Sequence, residues 1–261
     1  MDSTRQILVF GTIGAMDDFV IREWNRIAIS AVARRGYFAV AVSGGKTPVS
    51  LFRKLSEADG KLPWDKTHLF LVDERIVPYS HPDSNWGMLS ATLVKPAGIP
   101  AENCHPILVE DPLPEISAAR YEKDIMHFFG SRPKDVPAFD LVLLGIGEDG
   151  HTASLFPGNQ AVRESKHLVA AVILDDARHA RITLTLPAIN RAGNVLALVS
   201  GKSKAGIVKR VLLQRDRHLP ATLVNPVAGD LIFVLDREAA AELPVDMTRE
   251  ITVERDYLQR P

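Results

Sequence analysis

Short apolar runs alternate along this chain with longer segments in which apolar residues recur every three or four positions. The short runs are typical of strands buried on both faces of a sheet, and the longer segments are typical of helices that bury one face. Strands are predicted over residues 6–10, 38–42, 68–72, 105–109, 141–144, 168–174, 181–186, 194–200, 229–235 and 247–253. Helices are predicted over residues 18–35, 48–55, 86–93, 113–129, 205–212 and 237–243, with a short helical turn from Pro187. Because strands and helices alternate, we expect a doubly wound α/β fold, with a mostly parallel, Rossmann-like sheet and helices on both faces.

The ends of the predicted elements carry residues that commonly start and stop them. Asp17 is a suitable N-cap for the first helix, and Gly36 is a suitable residue to end it. Pro48 suits the first position of the second helix. The first strand, residues 6–10, is expected at an edge of the sheet. No repeat, low-complexity tract or linker interrupts the pattern, so residues 1–261 are expected to form a single domain.

The most informative stretch follows the apolar run 141–144, where three glycines fall within residues 145–150. Glycine permits unusual backbone angles and close approach of other groups. The loop carries Glu148, Asp149 and His151 to the carboxyl end of a buried strand. Ligands bind at such strand ends in open α/β sheets. This titratable cluster is therefore the leading candidate for an active site.

The spacing of these glycines also matches the dinucleotide-binding fingerprint, Gly-x-Gly-x-x-Gly. That fingerprint normally opens a helix, whereas Pro157-Gly158 stops any helix here almost at once. Glu148 and Asp149 lie inside the loop, where they would repel phosphates. No acidic residue lies about 20 positions beyond the loop, where the ribose partner belongs. The pattern therefore disfavours a dinucleotide site.

A second glycine-rich turn, from Ser43 to Pro48, lies between a predicted strand and a predicted helix. A strand, a glycine-rich turn and a helix together present free backbone N–H groups to an anion. Val40 stands where a nucleotide P-loop requires its first glycine, so the P-loop interpretation fails. We expect this turn to bind phosphate. Its predicted substrate-binding residues are Ser43, Gly44, Gly45 and Thr47.

Charged residues follow the third predicted strand and precede the helix that begins at residue 205. Asp73-Glu74-Arg75 could form a solvated corner or internal salt bridges, or Asp73 and Arg75 could face the same crevice as His151. Ser84 and Asn85, further along, are better explained as helix-capping residues than as substrate contacts. Lys204 lies in a first helical turn, where the helix dipole prefers an anion. Its position suggests either a bound anion or an ordinary surface lysine.

Composition narrows the class of protein. Of 261 residues, 46% are hydrophobic, and 31 basic residues against 32 acidic ones give a net charge of -1. This balance disfavours a general nucleic-acid or anionic-membrane binder. The single cysteine, Cys104, fits a reducing compartment, and neither a signal-peptide pattern nor an apolar run of about 18 residues is present. We expect a soluble cytoplasmic protein. Zinc-type His-Glu-x-x-His, paired-cysteine and Gly-x-Ser-x-Gly motifs do not occur.

Five motifs, in order and spanning about residues 38 to 236, resemble those of the 6-phosphogluconolactonases. They are Ser43-Gly-Gly-Lys-Thr-Pro48, Val72-Asp-Glu-Arg75 with Ser84-Asn85, Gly145-Ile-Gly-Glu-Asp-Gly-His-Thr-Ala-Ser-Leu-Phe-Pro157, Arg181-Ile-Thr-Leu-Thr185 and Gly201-x-x-Lys204. The related glucosamine-6-phosphate deaminases share the fold and the phosphate loop. They typically have Asp-Glu-Tyr where this chain has Asp73-Glu74-Arg75, and Ile-Ala-Phe-Asn-Glu where it has Thr152 to Phe156. These departures favour the lactonase.

The resemblance implies hydrolysis of 6-phospho-D-glucono-1,5-lactone to 6-phosphogluconate, with no metal and no redox cofactor. We expect the phosphate on the amides of Ser43, Gly44 and Gly45, with Arg181 and Lys204 as cationic partners. The predicted roles at the lactone are general base for His151, oxyanion partner for Arg75, and orientation of His151 or contact with substrate hydroxyls for Asp149 or Asp73. A monomer or homodimer is expected. The alternatives are an amino-sugar-phosphate deaminase and a sugar-phosphate sensor without chemistry.

Overall fold

Two sheets organise the chain in the computed structural model, which describes residues 5–45, 48–58, 62–111, 113–130, 137–174, 179–247 and 249–250. The strands are β1 Arg5–Phe10, β2 Phe38–Val42, β3 Thr67–Leu71, β4 Asp73–Arg75, β5 Cys104–His105, β6 Leu141–Gly145, β7 Val169–Val172, β8 Arg181–Leu184, β9 Asn194–Val199, β10 Asp230–Asp236 and β11 Arg249–Glu250. The helices are α1 Ile13–Arg35, α2 Pro48–Glu57, α3 Asn85–Leu89, α4 Lys95–Ala97, α5 Pro114–Phe128, α6 Leu186–Ile189, α7 Ala205–Leu212 and α8 Pro220–Leu223. A π turn, Ser90–Val94, joins α3 to α4.

The larger sheet has eight strands in the order β11-β1-β10-β9-β6-β2-β3-β5, and every neighbouring pair is parallel. Its central strands are apolar because both of their faces are covered, and all five residues of β2 are buried. α1 packs against α2, while α5 packs against the second sheet. The predicted doubly wound α/β fold, with a mostly parallel sheet, is confirmed.

The strand order contains a switch point between β2 and β6. From β2 the chain proceeds outward to β3 and β5, whereas from β6 it proceeds in the opposite direction to β9 and β10. The turns that leave β2 and β6 therefore diverge and leave a crevice between them. The two strand ends are nevertheless held together, since the amide of Ser43 donates to the carbonyl of Leu143 over 3.0 Å.

Asp140 fixes the start of β6 against β2. Its amide donates to the carbonyl of Ala39, and its carboxylate accepts from the amide of Ala39, each over 2.9 Å. The same carboxylate forms ion pairs with Arg34 and Arg35 at the end of α1. Burial raises the pKa of Asp140, and the Ala39 amide and the two guanidinium groups counteract that rise. The pairing sets the register that brings the turns after β2 and β6 side by side.

The second sheet is small and antiparallel, with the order β4-β8-β7. Its register pairs Asp73 with Thr183 and Arg75 with Arg181. The sheet was not predicted, because the three charged residues of β4 lack the hydrophobic pattern of a strand. They pair instead as an extension of β3: Val72 donates to Val42 of the main sheet over 2.9 Å and accepts from the amide of Leu184 over 2.7 Å.

Several predicted boundaries are wrong for identifiable reasons. The N-cap of α1 is Thr12, whose hydroxyl accepts from the amide of Ala15 over 3.1 Å, and Asp17 is a buried residue inside the helix. Gly36 does end α1, with a φ of 84°. The strand predicted over residues 105–109 stops at His105, because Pro106 has no N–H to donate.

Two further differences concern the edge of the main sheet and the end of the described chain. β1 lies inside the sheet, because the short strand β11 pairs with it on the outer side. Residues 237–243 form successive turns instead of a helix, with one amide hydrogen bond of four-residue spacing and two of three-residue spacing. Across the described ranges, no helix has the length and apolar character needed to cross a bilayer.

Candidate active site

A cavity of about 500 Å³ lies beyond the carboxyl ends of β2, β6 and β9. Its walls are the turn after β2, the loop after β6, strand β4, and the turn that carries Lys204. The cavity occupies the crevice at the switch point, where the strand order predicts a ligand site. His151 and the turn Ser43–Gly45 therefore open onto the same space.

His151 is paired with Asp149 inside this cavity. The Nδ1 atom of His151 lies 2.5 Å from Oδ1 of Asp149, and the backbone amide of His151 donates to the same oxygen over 3.1 Å. A carboxylate at Nδ1 favours the tautomer in which Nδ1 carries the proton and Nε2 carries the lone pair. Partial burial alone would raise the pKa of Asp149, but the amide and imidazole of His151 hold that pKa below its usual value. The pair thus presents Nε2 as a proton acceptor.

The imidazole occupies this position because residue 147 has no side chain. A Cβ atom on Gly147 would lie 2.1 Å from both Cε1 and Nδ1 of His151, and 2.7 Å from Oδ1 of Asp149. The loop closes through a hydrogen bond from the Gly147 amide to the His151 carbonyl over 2.8 Å. The ring of Phe156 packs against the imidazole, with 4.6 Å between the two ring centroids. This glycine therefore serves the packing of His151. No helix follows within residues 151–159, which agrees with the argument against a dinucleotide fingerprint.

The turn after β2 is shaped by Asn85. A Cβ atom on Gly44 would lie 1.9 Å from Oδ1 of Asn85, so glycine is required where this side chain crosses the turn. The hydroxyl oxygen of Ser43 is buried and has no hydrogen-bond partner within the described ranges. α2 begins at Pro48, as predicted. Thr47, which was also predicted to bind substrate, lies outside the described residues.

Asp73 and Arg75 both face the cavity, because alternate residues of a strand point the same way. Asp73 is held by Ser154, whose hydroxyl donates to Oδ2 over 2.6 Å, and its carbonyl accepts from Nδ2 of Asn85 over 2.8 Å. The Nη1 atom of Arg75 donates to the carbonyl of Asp83 over 2.7 Å. Its Nε atom has no hydrogen-bond partner among the residues that the structure describes.

Glu74 points away from the cavity and organises the segment behind it. Its carboxylate is fully buried and accepts hydrogen bonds from the amides of Arg75, Asn85 and Trp86, each over 2.7 Å, and from the hydroxyl of Ser84 over 3.0 Å. Burial raises the pKa of Glu74, and these four donors counteract the rise. The positive end of the helix dipole also stabilises an acidic group at the start of α3.

The two remaining predicted cations occupy different positions. Lys204 lines the cavity and has no acidic partner within the described ranges. Arg181 does not line the cavity, although its pairing with Arg75 directs both side chains from the same face of the small sheet. Its Nε atom donates to the carbonyl of His179 over 3.1 Å. Its contact with a phosphate remains a prediction.

Sequence reasoning did not anticipate the roles of three side chains that build the site. Asn85 covers Gly44, Ser154 holds Asp73, and Glu74 anchors the start of α3. The hydrogen-bond donors that surround Glu74 come from residues about ten positions away, so only the alternation of Asp73, Glu74 and Arg75 could have indicated its inward orientation. Ser84, as predicted, is an N-cap, since its hydroxyl accepts from the amide of Gly87 over 3.0 Å.

The described residues contain one group of three side chains that could together hold a metal ion: His81, Asp83 and His179. None of them lines the cavity.

Comparison with known proteins places this site in a family. Residues 14–233 match the family model described as glucosamine-6-phosphate isomerases/6-phosphogluconolactonase. A 6-phosphogluconolactonase of Nostoc sp. is 41% identical, over 83% of this chain and 89% of that protein. A human 6-phosphogluconolactonase is 36% identical, over 88% of this chain and 90% of that protein. The structure of a 6-phosphogluconolactonase from Trypanosoma cruzi superposes with a TM-score of 0.82 at 28% identity, over 93% of this chain and 98% of the other. This chain belongs to the glucosamine-6-phosphate isomerase/6-phosphogluconolactonase family.

Proposed function

We propose that this protein hydrolyses 6-phospho-D-glucono-1,5-lactone to 6-phosphogluconate, with His151 as the general base. One observation carries the proposal: an imidazole oriented by a carboxylate and a glycine-rich turn suited to an anion open onto a single cavity. The substrate has two matching parts, a phosphate dianion and a lactone carbonyl. The 6-phosphogluconolactonases to which this chain is similar support the proposed reaction.

The phosphate end is assigned to the turn after β2. The amides at the start of a helix and its preceding turn favour an anion, and the Ser43 hydroxyl adds a further donor. Lys204, which also lines the cavity, supplies a positive charge. Because Arg181 leaves the same face of the small sheet as Arg75, we assign it a supporting contact at the mouth of the site. These groups bind and position the substrate.

The lactone end is assigned to His151. Its Nε2 atom removes a proton as the oxygen of a water molecule bonds to the lactone carbon C1, which leaves a tetrahedral oxyanion. The intermediate collapses by cleavage of the bond from C1 to the ring oxygen. The imidazolium returns its proton to that oxygen, which becomes the C5 hydroxyl, and the new carboxyl group ionises. Asp149 holds the imidazole and stabilises its charged form.

Arg75 is the proposed partner of the oxyanion. One of its donors is occupied by the carbonyl of Asp83, which fixes the guanidinium, while Nε has no partner among the described residues. A preorganised donor of this kind is worth about 10²–10³ in rate. Asp73, held by Ser154 and Asn85, is suited to accept hydrogen bonds from substrate hydroxyls.

We also infer a cytoplasmic location. The chain has a single cysteine, Cys104, and burial, assisted by the nearby Glu102, raises its pKa to about 11. A thiol of this kind is unreactive and fits a compartment where disulfides are not formed.

A coupled assay tests the proposed reaction. The lactone is generated in the cuvette, and 6-phosphogluconate is detected with its NADP-dependent dehydrogenase. We expect a rate that exceeds spontaneous hydrolysis and is proportional to protein concentration. A rate equal to spontaneous hydrolysis would contradict the proposal, and release of ammonia from glucosamine 6-phosphate would indicate a deaminase instead.

A further inference from the structure

Three potential metal ligands converge at the rim of the site, from two segments far apart in the sequence. His81 and Asp83 lie between β4 and α3, and His179 lies just before β8. Oδ2 of Asp83 is 3.9 Å from Nδ1 of His81 and 3.7 Å from Nε2 of His179. Ligand atoms from all three residues lie within 4.8 Å of one another.

The three ligand atoms are more widely spaced than in an occupied zinc site. Bonds of about 2.0–2.1 Å in a tetrahedral arrangement separate neighbouring ligand atoms by about 3.3 Å. The two measured separations from Asp83 therefore need to shorten by about 0.4 and 0.6 Å, and the separation between the two histidine nitrogens, which is at most 4.8 Å, by up to about 1.5 Å. The side chains of His81, Asp83 and His179 are 41%, 54% and 43% exposed, respectively, so rotation about their side-chain bonds can supply this movement.

The chemistry of the donors also favours a transition metal. Nδ1 of His81 accepts from the amide of Asp83 over 3.1 Å, so an ion that binds at this nitrogen displaces that hydrogen bond. Two imidazoles and one carboxylate match the preference of Zn²⁺ for nitrogen and oxygen ligands and disfavour Ca²⁺ and Mg²⁺. Three protein ligands leave the fourth position for water.

The same residues also contact the two arginines of the small sheet. The carbonyl of Asp83 accepts from Arg75, and the carbonyl of His179 accepts from Arg181. An ion that joins Asp83 to His179 would consequently tie together the two segments that hold these guanidinium groups.

We propose that His81, Asp83 and His179 form a zinc site that links the segment after β4 to the start of β8. The site lies outside the cavity lining, and the proposal does not depend on lactone hydrolysis.

Metal titration tests this site directly. The full chain, free of any purification tag and stripped with a chelator, is titrated with Zn²⁺ by calorimetry and with Co²⁺ by visible absorption. We expect one ion per chain, with the d–d spectrum of Co²⁺ bound to nitrogen and oxygen. Asp83→Asn and His179→Asn should each weaken binding by at least about tenfold, since loss of even an indirect partner of a metal costs 10–100-fold.

Two variants control for other histidines. His218→Asn changes an exposed histidine outside the group, and His151→Asn changes the histidine in the cavity. Both variants should bind Zn²⁺ with the affinity of the unmodified protein. Superimposable circular-dichroism melts of the metal-free proteins establish that the variants fold. Absence of stoichiometric binding, unchanged affinity in both ligand variants, or loss of binding in His151→Asn would each overturn the proposal.

Discussion

Gly147→Ala is the substitution that most directly perturbs the proposed base without removing it. The added methyl carbon would lie 2.1 Å from Nδ1 and Cε1 of His151, whereas an ordinary contact begins at about 3.4 Å. The imidazole must therefore move by roughly 1.3 Å, or the loop must open. The methyl group would also lie 2.7 Å from Oδ1 of Asp149, so the bond between Asp149 and His151 is strained by the same change.

The expected cost follows from the displacement. A misplacement of about 1 Å can reduce a rate 10²-fold, and a general base is worth about 10²–10⁴ in total. We therefore expect kcat to fall by at least about 10²-fold, which corresponds to about 2.7 kcal/mol in activation free energy. KM should change little, because the phosphate turn at Ser43 lies on another loop.

The assay is the coupled lactone reaction, with a matched control. Gly206→Ala adds the same methyl group to an exposed helical position, where the nearest atom is 3.9 Å away, and it should leave kcat and KM unchanged. Thermal melts of both variants separate loss of fold from loss of rate. If Gly147→Ala retains a near-normal kcat while His151→Ala loses activity, the imidazole does not work from the position described.

Three other predictions follow from individual contacts. Lys204→Ala should raise KM by roughly 10–100-fold, because a hydrogen bond to a charged group is worth about 1.5–3 kcal/mol. Lys202→Ala, in the same turn, is the control and should leave KM unchanged. A lower kcat at constant KM would contradict the assignment of Lys204 to the phosphate. Gly44→Ala places a methyl carbon 1.9 Å from Oδ1 of Asn85 and should destabilise the fold by about 1–3 kcal/mol, measured as a lower Tm. Burial, assisted by the neighbouring His105, lowers the pKa of His68 from 6.5 to about 4. Unfolded chains thus bind more protons between these values, and the free energy of unfolding should fall as pH drops from 6.5 to 4.

The pKa shift of His68 sets an upper limit on this loss of stability. Each pKa unit is worth about 1.4 kcal/mol, so the fall is at most about 3 kcal/mol, and solvent around the partly buried ring reduces it. Urea unfolding of the unmodified protein and of His68→Asn, compared across this range, measures the contribution. Identical pH dependence in the two proteins would show that His68 is not its source.

The fold was predictable because its signals are local and strong. Runs such as β2 and β6 are apolar throughout, and Gly36 and Pro48 occupy the helix ends at which their backbone preferences place them. The glycine-rich turns mark the ends of strands, so the crevice that they share could also be anticipated from sequence.

The features that could not be predicted depend on contacts between distant residues. β4 is a strand only because β8 pairs with it, and nothing in three consecutive charged residues indicates that pairing. The sequence did not distinguish Asp149 from Asp73 as the partner of His151; in the structure Asp149 contacts the imidazole, and Asp73 accepts from Ser154. The meeting of Asp83 with His179 likewise depends on how the two loops approach one another.

A crystal structure with bound 6-phosphogluconate would show whether one cavity holds both ends of the substrate as proposed. We expect phosphate oxygens within about 3.2 Å of the backbone nitrogens of Ser43–Gly45, and the C1 carboxylate beside Nε2 of His151. A product bound with these ends reversed, or bound outside the cavity, would contradict it.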